Sequence, residues 1–227
     1  DASDATGGTL ESDEDYCVCL LRSSFDAALA SFPGGELASA DRALARANWA
    51  PGDDVDGDVF LGLRVGAIRS TFESTGMMLA ASPPPSFARQ ELQKILVREG
   101  PMAFHAFLDD WGISLRPGDV EELAWLYMPD LWGEGTSPPE EHVFLARVPE
   151  AQELCWTAAL PAERFSGILW AAPSRALRLY ARGELRLSLQ QWLVLSRLAE
   201  AAPRLHLLRG GRAWAPRGSI WRAAAME

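Results

Sequence analysis

The sequence is poor in the residues that most often cross-link a protein or bind metals: its 227 residues include three cysteines, three histidines and one lysine. Cys17 and Cys19 are one residue apart, so a bridge between them would close too small a loop to restrain the chain. No second cysteine pair is present that would complete four ligands for a structural zinc site. Cys17, Cys19 and Cys155 are therefore expected to be free thiols.

The sequence also lacks a long apolar run. The best candidate for a membrane span, residues 59–81, is interrupted by Arg64 and Arg69 before it reaches the roughly 18 apolar residues that a span requires. With 48% hydrophobic and 23% charged residues, the composition excludes a disordered, collagen-like or coiled-coil chain. The sequence therefore predicts a soluble protein with a sizeable core, in one large domain or two small ones.

Motifs that carry common catalytic chemistry are missing as well. There is no Gly-x-Ser-x-Gly turn, no His-Glu-x-x-His zinc motif and no Gly-x-x-x-x-Gly-Lys phosphate loop. His105, His142 and His206 fall in different predicted elements, so they are expected to share no site. No cofactor and no metal site are predicted, and the sequence leans away from an enzyme.

Aspartates are densest in residues 53–58. Counted from Asp54, they supply oxygens at the first, third and fifth positions of a calcium loop, but Val59 stands where such a loop needs glycine and Val65 where it needs glutamate. A solvated acidic turn is expected, with weak calcium binding as the alternative.

Acidic residues next to tryptophans keep one enzyme class open. The pairs are Asp109-Asp110 at Trp111, Glu121-Glu122 near Trp125, and Asp130 near Trp132. A flat apolar ring raises the pKa of a nearby carboxyl group and stacks on a sugar, whereas adjacent acids on a helix usually form its solvated face. A hydrolase with an unidentified carboxylate site is therefore an alternative.

Apolar residues at helical spacing predict helices through most of the first 132 residues. The predicted helices cover residues 16–32, 36–49, 59–81 and 87–99, the segment with Phe104, Phe107, Leu108 and Trp111, and a helix that begins at Asp119. Residues 59–81 contain three glycines, so a strand from Val59 to Ile68 followed by a helix fits about equally well, and the helix is preferred.

The pattern changes after the loop at residues 133–141. Residues 142–148 predict a strand and residues 162–171 a short helix. Alternating leucines predict a hairpin over residues 177–187 that turns at Arg182-Gly183. Ser188 and Gln191 have the spacing of a capping box, which predicts a helix to Ala202.

A second hairpin is predicted further on, with Leu207 opposite Trp214. Its register places Arg209 opposite Arg212. Because like charges directly opposite each other destabilise a hairpin, an acidic group is expected across this pair, from this chain or from a partner.

These patterns predict an α+β fold in which a helical N-terminal layer, about residues 16–132, precedes a β-hairpin, helix, β-hairpin region. Three parts are expected. They are an acidic extended tail at 1–15, a mainly helical region at 16–132, and an Arg-rich α+β region at 142–227 packed as one compact unit with the helices.

The net charge of −10 conceals two regions of opposite sign. Residues 1–163 hold 10 basic and 28 acidic side chains, a net charge of −18, whereas residues 164–227 hold 11 arginines and three glutamates, a net charge of +8. The basic region either neutralises the rest of the chain or meets an anionic partner. The tail at 1–15, with six acids and one apolar residue, is expected to be ordered only against another surface.

The chain is rich in arginine and has nine tryptophans. Both residue types are enriched at the centres of protein interfaces. The chain is therefore expected to be a non-catalytic structural or docking subunit that binds other protein subunits through its acidic N-terminal face and its Arg/Trp-rich C-terminal face. The predicted partner-binding residues are Arg204, Arg209, Arg212, Trp214, Arg217, Trp221 and Arg222. Nucleic-acid binding through the same residues is the alternative.

The chain begins at Asp1 rather than at methionine. It is therefore expected to be a processed product, after removal of a targeting peptide, or part of a longer chain. The compartment is not predicted.

Overall fold

A computed structural model describes residues 16–49, 55–80, 99–127, 140–146 and 163–201, together with residues 88, 91–92, 95–96 and 148. The elements are strands β1 (Val18–Ser23) and β2 (Ala30–Ser31), helices α1 (Ser39–Trp49), α2 (Val55–Thr75) and α3 (Met102–Asp110), a 3₁₀ turn (Pro117–Asp119), strands β3 (Val120–Tyr127), β4 (Glu140–Ala146) and β5 (Phe165–Ala171), and helices α4 (Pro173–Ala181) and α5 (Leu189–Ala201). The described residues between 88 and 99 are also helical. The predicted α+β class is confirmed.

Two antiparallel sheets organise the described strands. The first has the order β2-β1-β5, with Leu20 opposite Leu169. The second pairs β3 with β4 and places Trp125 opposite His142. Because β1 and β5 are far apart in sequence, the first sheet joins the beginning of the described chain to its last third.

Helix α2 is the longest element, and two of its glycines let α1 pack closely against it. A Cβ added at Gly62 would lie 3.0 Å from Cγ of Arg42, and a Cβ added at Gly66 would lie 3.0 Å from Cδ1 of Leu37. Glycine in a helix interior lowers stability by about 0.5–1 kcal/mol relative to alanine, and the close packing of the two helices offsets this loss here. These glycines explain why the sequence left residues 59–81 ambiguous; the preferred helix is confirmed over 59–75 but ends at Thr75, short of the predicted end.

Three apolar clusters form the core of the described part of the chain. The largest joins α2, the helical residues between 88 and 99, and α3, with Phe72 and Phe104 fully buried. The second packs β1 and β5 against α4 and α5, around Leu20 and Leu195. The third sets Leu126 of β3 against α5. Helix α5 therefore packs against strands of both sheets.

The predicted helix at residues 16–32 is wrong, because this segment forms β1, a loop and β2. Leu20 and Leu21 are both almost fully buried, as in a strand covered on both faces. Phe25, one of the residues with helical spacing, is 90% exposed in the loop. The three- and four-residue spacing was thus coincidental.

The predicted helix beginning at Asp119 is wrong as well, because β3 begins at Val120. A bulge between Glu122 and Ala124 shifts the register against β4. One extra residue puts Glu122 and Trp125, three positions apart, on the same face of the sheet. A bulged strand therefore imitated the period of a helix, and the predicted helical layer is interrupted by strands.

Two predictions in the last third are also wrong. Residues 165–171 form strand β5 rather than a helix, because they pair along β1. Residues 173–181 form helix α4, so no hairpin spans 177–187. The predicted turn is present, but it ends a helix: Gly183 has φ +73°, the left-handed conformation common just after a helix C-terminus.

Residues 55–58 of the predicted acidic turn instead begin helix α2, whereas other predicted elements are confirmed over their described residues. Helices lie at 39–49 and 102–110, and strand β4 at 140–146. The capping box is present, since the Ser188 amide donates to Gln191 Oε1 at 2.8 Å and the Gln191 amide donates to Ser188 Oγ at 3.2 Å. The sequence signals for these segments are short-range, and tertiary contacts do not override them.

Other predictions lie outside the described residues. They are the tail at 1–15, the hairpin with Arg209 and Arg212, all seven predicted partner-binding residues, His206, Cys155, and Asp130 with Trp132. Cys17 and Cys19 are partly buried thiols that form no disulfide bond. No helix among the described residues combines the length and the apolar character that a bilayer crossing requires.

Candidate functional site

A buried arginine on α2 gathers two acids and a carbonyl group. Arg69 is 2% exposed. Its Nε and Nη2 donate to the two carboxylate oxygens of Asp41 at 2.7 and 2.8 Å, and its Nη1 donates to Oε1 of Glu73 at 2.7 Å. Nη2 also donates to the Glu36 carbonyl at 2.8 Å. The guanidinium therefore fixes two helices and the segment before α1 at one point.

Local sequence places each member of this cluster. Asp41 is the third residue of α1, and its Oδ2 also accepts the amide of Ala38 at 2.9 Å, as a residue in a capping box does. Arg69 and Glu73 are one helical turn apart, so their side chains meet on one face of α2. Gly66, the turn before, leaves room for Asp41, whose Oδ2 would lie 3.1 Å from an added Cβ.

The electrostatics hold Arg69 charged. Burial by itself lowers the pKa of Arg69, but the hydrogen bonds and charges of Asp41 and then Glu73 more than offset it, so the pKa is raised above its usual value. Asp41 is 0% exposed, and both of its carboxylate oxygens accept hydrogen bonds from Arg69. The Glu73 side chain, in contrast, is 33% exposed. Glu73 is thus the member of the cluster that solvent can reach.

A tight backbone approach borders this carboxylate. Gly35 crosses α2 so closely that a Cβ there would lie 3.0 Å from Oγ of Ser70. Ser70 is 1% exposed, and its Oγ has no hydrogen-bond partner among the described residues. Gly35 itself is exposed. The loop before α1 therefore packs against α2 here: Gly35 and Glu73, both open to solvent, lie at the surface on this side of α2, and Ser70 is buried below Gly35.

His105 of α3 lies beneath this surface. Burial lowers its pKa; the charges of Asp41 and Asp109 oppose the shift and that of Arg69 reinforces it. Its Nε2 is buried without a hydrogen-bond partner among the described residues. The imidazole is therefore neutral near pH 7 and electrically coupled to the Arg69 cluster.

The β3-β4 hairpin holds a second arrangement. Nδ1 of His142 lies 2.7 Å from Oε1 of Glu122, and the imidazole stacks on Trp125 with ring centroids 6.0 Å apart. Phe144 also stacks on His142, and Phe60 of α2 meets the ring edge-on. The structure thus places Glu122 and Trp125 against the same residue, His142.

The other acid and tryptophan group in the described chain does not form a site. Asp109 and Asp110 are exposed, and Trp111 stacks on Phe107 with centroids 5.6 Å apart. These acids form the solvated face of α3, as the alternative interpretation expected. His105 and His142 have no partner in common.

Sequence reasoning missed Asp41, Arg69, Ser70 and Glu73. One signal was available: Arg69 interrupts the most apolar run in the chain, and an ionisable residue inside a buried helix requires a partner of opposite charge. Glu73 stands one turn away. The described residues contain no group of three or more His, Cys, Asp or Glu side chains placed to hold a metal ion.

Comparisons with known proteins add the fold. No family model matches the sequence, and a search of curated proteins finds no significant match. Among solved structures, the chain is similar to a NUDIX hydrolase from Alicyclobacillus acidocaldarius, with a TM-score of 0.64 and 21% identity over 88% of this chain and 90% of that chain.

This similarity corrects the functional prediction. A non-catalytic structural or docking subunit of a complex is the wrong interpretation, because the chain shares the fold of a hydrolase over nearly the whole length of both proteins. The physical reason for the error is that the motifs sought in the sequence were local ones, and such motifs do not detect a similarity in fold at 21% identity.

Proposed function

We propose that this protein is a hydrolase whose general base is Glu73. The observation that carries the proposal is the similarity in fold, over 88% of the chain, to a protein named as a NUDIX hydrolase. Because one fold hosts many functions, the argument also needs a site with suitable chemistry. The Arg69 cluster supplies it.

Glu73 has the properties of a positioned base. Its Oε1 is held by Arg69 Nη1 at 2.7 Å, and its side chain is partly open to solvent. A carboxylate held in one orientation accepts a proton from water as that water attacks a substrate. Arg69 is the positioning residue, since its bonds to Asp41 and to the Glu36 carbonyl leave it no freedom to move.

The backbone beside Glu73 offers a place for the substrate. Gly35 has no side chain and is exposed, so a substrate can approach the main chain there. The buried hydroxyl of Ser70 lies directly under this glycine, 3.0 Å from where a Cβ would be. The substrate is therefore expected over Gly35, with its scissile bond toward Glu73.

The experiment compares wild-type protein with the variant Glu73→Gln on four classes of hydrolysable bond: phosphoanhydrides, phosphate esters, carboxyl esters and glycosides. General-base catalysis contributes about 10²–10⁴-fold to a rate, so the variant should lose at least about 100-fold in kcat on any substrate that the wild type hydrolyses. Glu200→Gln on α5 is the matched control, because Glu200 is exposed and distant in sequence.

Thermal unfolding of both variants separates catalysis from stability. The proposal is wrong if the wild type hydrolyses none of the four classes, or if Glu73→Gln keeps full activity. A large loss in Glu122→Gln, with Glu73→Gln unaffected, would instead assign the chemistry to the pair formed by Glu122 and His142 on the hairpin.

A further inference from the structure

A cleft lies where the β1-β2 loop, the start of β5 and the start of α5 meet. Its volume is about 500 Å³, within the range of small-molecule sites. Its lining includes four apolar side chains and two arginines: Leu21, Phe25, Leu29, Phe165, Arg164 and Arg186. Ser188 and Gln191 also line it, but the side-chain oxygen of each accepts a hydrogen bond from the backbone amide of the other.

Backbone hydrogen bonds fix the segment that carries Arg164. The Ser24 amide donates to the Arg164 carbonyl at 3.0 Å, and the Ser24 hydroxyl donates to the Glu163 carbonyl at 2.7 Å. The Arg164 guanidinium carbon lies 5.5 Å from the centroid of the Phe165 ring. This arginine therefore lies over an apolar wall of the cleft with its N–H groups available at the edge.

The backbone of Arg186, the second arginine that lines the cleft, is fixed in the same way. Its amide donates to the Ala28 carbonyl at 2.7 Å, and its carbonyl accepts the Ala30 amide at 3.0 Å. The cleft is thus formed before any ligand arrives, and a preformed site loses little entropy on binding.

One acid competes for Arg186. Asp26 Oδ2 accepts a hydrogen bond from Arg186 Nη1 at 2.8 Å, while Asp26 Oδ1 accepts the Ala28 amide at 3.0 Å. The two side chains are 37% and 69% exposed, so this ion pair is weak and a ligand can displace it. Two arginines against one acid leave a positive charge at the mouth of an apolar cleft in a protein of net charge −10.

We propose that this cleft binds an organic acid with a flat apolar body, its anionic group between Arg164 and Arg186 and its body against Leu29 and Phe165. The apolar walls favour a ring or a branched chain, and the two guanidinium groups favour a carboxylate or phosphate over a neutral polar group. The proposal is independent of the function assigned to Glu73, because no residue is shared between the two sites.

Calorimetry with 2-naphthoate and its neutral isostere 2-naphthamide tests this directly. The acid should bind at least about tenfold more tightly than the amide, since charge-assisted hydrogen bonds are worth about 1.5–3 kcal/mol. Arg164→Gln and Arg186→Gln should each weaken naphthoate binding about 3- to 10-fold. Inorganic phosphate, which has the charge without the body, should bind more weakly than naphthoate.

Asp26→Asn gives an effect of the opposite sign. Asparagine keeps Oδ1 for the Ala28 amide but removes the charge that competes for Arg186, so naphthoate should bind about 2- to 5-fold more tightly. Arg182→Gln is the control, because Arg182 is exposed and does not line the cleft.

Each of the following results would overturn the proposal: equal affinity for the acid and the amide, weaker binding by Asp26→Asn, or the same loss in Arg182→Gln as in Arg186→Gln. Glu73→Gln should bind naphthoate like the wild type. Normal binding by that variant together with lost hydrolysis would support both proposals separately, and normal binding without any hydrolysis in the wild type would overturn only the hydrolase.

Discussion

Two pairs of arginine and aspartate in this protein have nearly the same hydrogen-bond distance and very different surroundings. Arg69 meets Asp41 at 2.7 Å and Arg186 meets Asp26 at 2.8 Å. The first pair has side chains 3% and 0% exposed; the second has side chains 69% and 37% exposed. Distance alone therefore says little about what an ion pair does, because solvent decides whether breaking it leaves a buried charge or a hydrated one.

The buried ion pair holds its neighbours in place, whereas the exposed ion pair can be broken by a competing anion. Water cannot take the place of Asp41, so Arg69 keeps Glu73 and the Glu36 carbonyl in one arrangement. Water or another anion can take the place of Asp26, which leaves Arg186 available to a ligand. An ion pair between arginine and aspartate thus fixes the structure at Arg69, whereas at Arg186 another anion can replace the aspartate.

The largest expected effect breaks the buried pair. Asp41→Asn removes the charge opposite Arg69 and sets an amide N–H group against its donors, so the free energy of unfolding should fall by about 3–5 kcal/mol. Denaturant unfolding measures the loss. Asp26→Asn is the comparison, and equal losses in the two variants would contradict the distinction drawn from burial.

The next effect tests whether the buried pair depends on close helix packing. Gly66→Ala would bring a Cβ to 3.1 Å from Oδ2 of Asp41, which two hydrogen bonds hold in place. Overpacking costs about 1–3 kcal/mol, and better helix propensity returns at most about 1 kcal/mol, so a net loss of about 1–2 kcal/mol is expected in denaturant unfolding.

Gly167→Ala is the control for that variant, because nothing lies within 4 Å of an added Cβ there. It should leave stability unchanged or raise it slightly, since alanine is favoured over glycine within a strand. A stabilising Gly66→Ala would show that α1 and α2 have room to separate.

A smaller effect is the pH dependence contributed by His105, the neighbour of the buried pair. Its folded pKa lies below its ordinary value of 6.5 because of burial, so the folded state binds fewer protons than the unfolded state between the two pKa values. Stability should therefore fall as the pH drops below about 6.5, toward the lowered pKa, and should be level above it.

Denaturant unfolding of wild type and His105→Gln between pH 5 and pH 8 isolates this contribution. The difference in unfolding free energy between the two proteins should change in the acid part of this range and stay constant in the alkaline part. A difference that is constant throughout would mean that His105 has the same pKa in both states.

The smallest expected effect concerns the exposed pair. Arg186→Gln should change the free energy of unfolding by less than about 1 kcal/mol, because exposed ion pairs contribute about 0–1 kcal/mol. Denaturant unfolding at low and high salt measures it. A loss comparable to that of Asp41→Asn would show that Arg186 supports the fold instead of serving a ligand.

The sequence by itself determined the α+β class and the segments whose signals are local. The capping box of Ser188 and Gln191 needs only residues within one turn, and the apolar face of α3 needs only its own period. Glu122 and Trp125 were candidates in the sequence, but their common neighbour His142 comes from the opposite strand.

Only the tertiary structure decided the rest. Residues 18–23 became a strand because β5 pairs with them from far along the chain, and β3 resembled a helix in sequence because a bulge altered its alternation. Asp41 and Arg69 lie on different helices, 28 positions apart. Pairing, bulges and buried ion pairs depend on groups distant in sequence, so the period of a single segment carries no record of them.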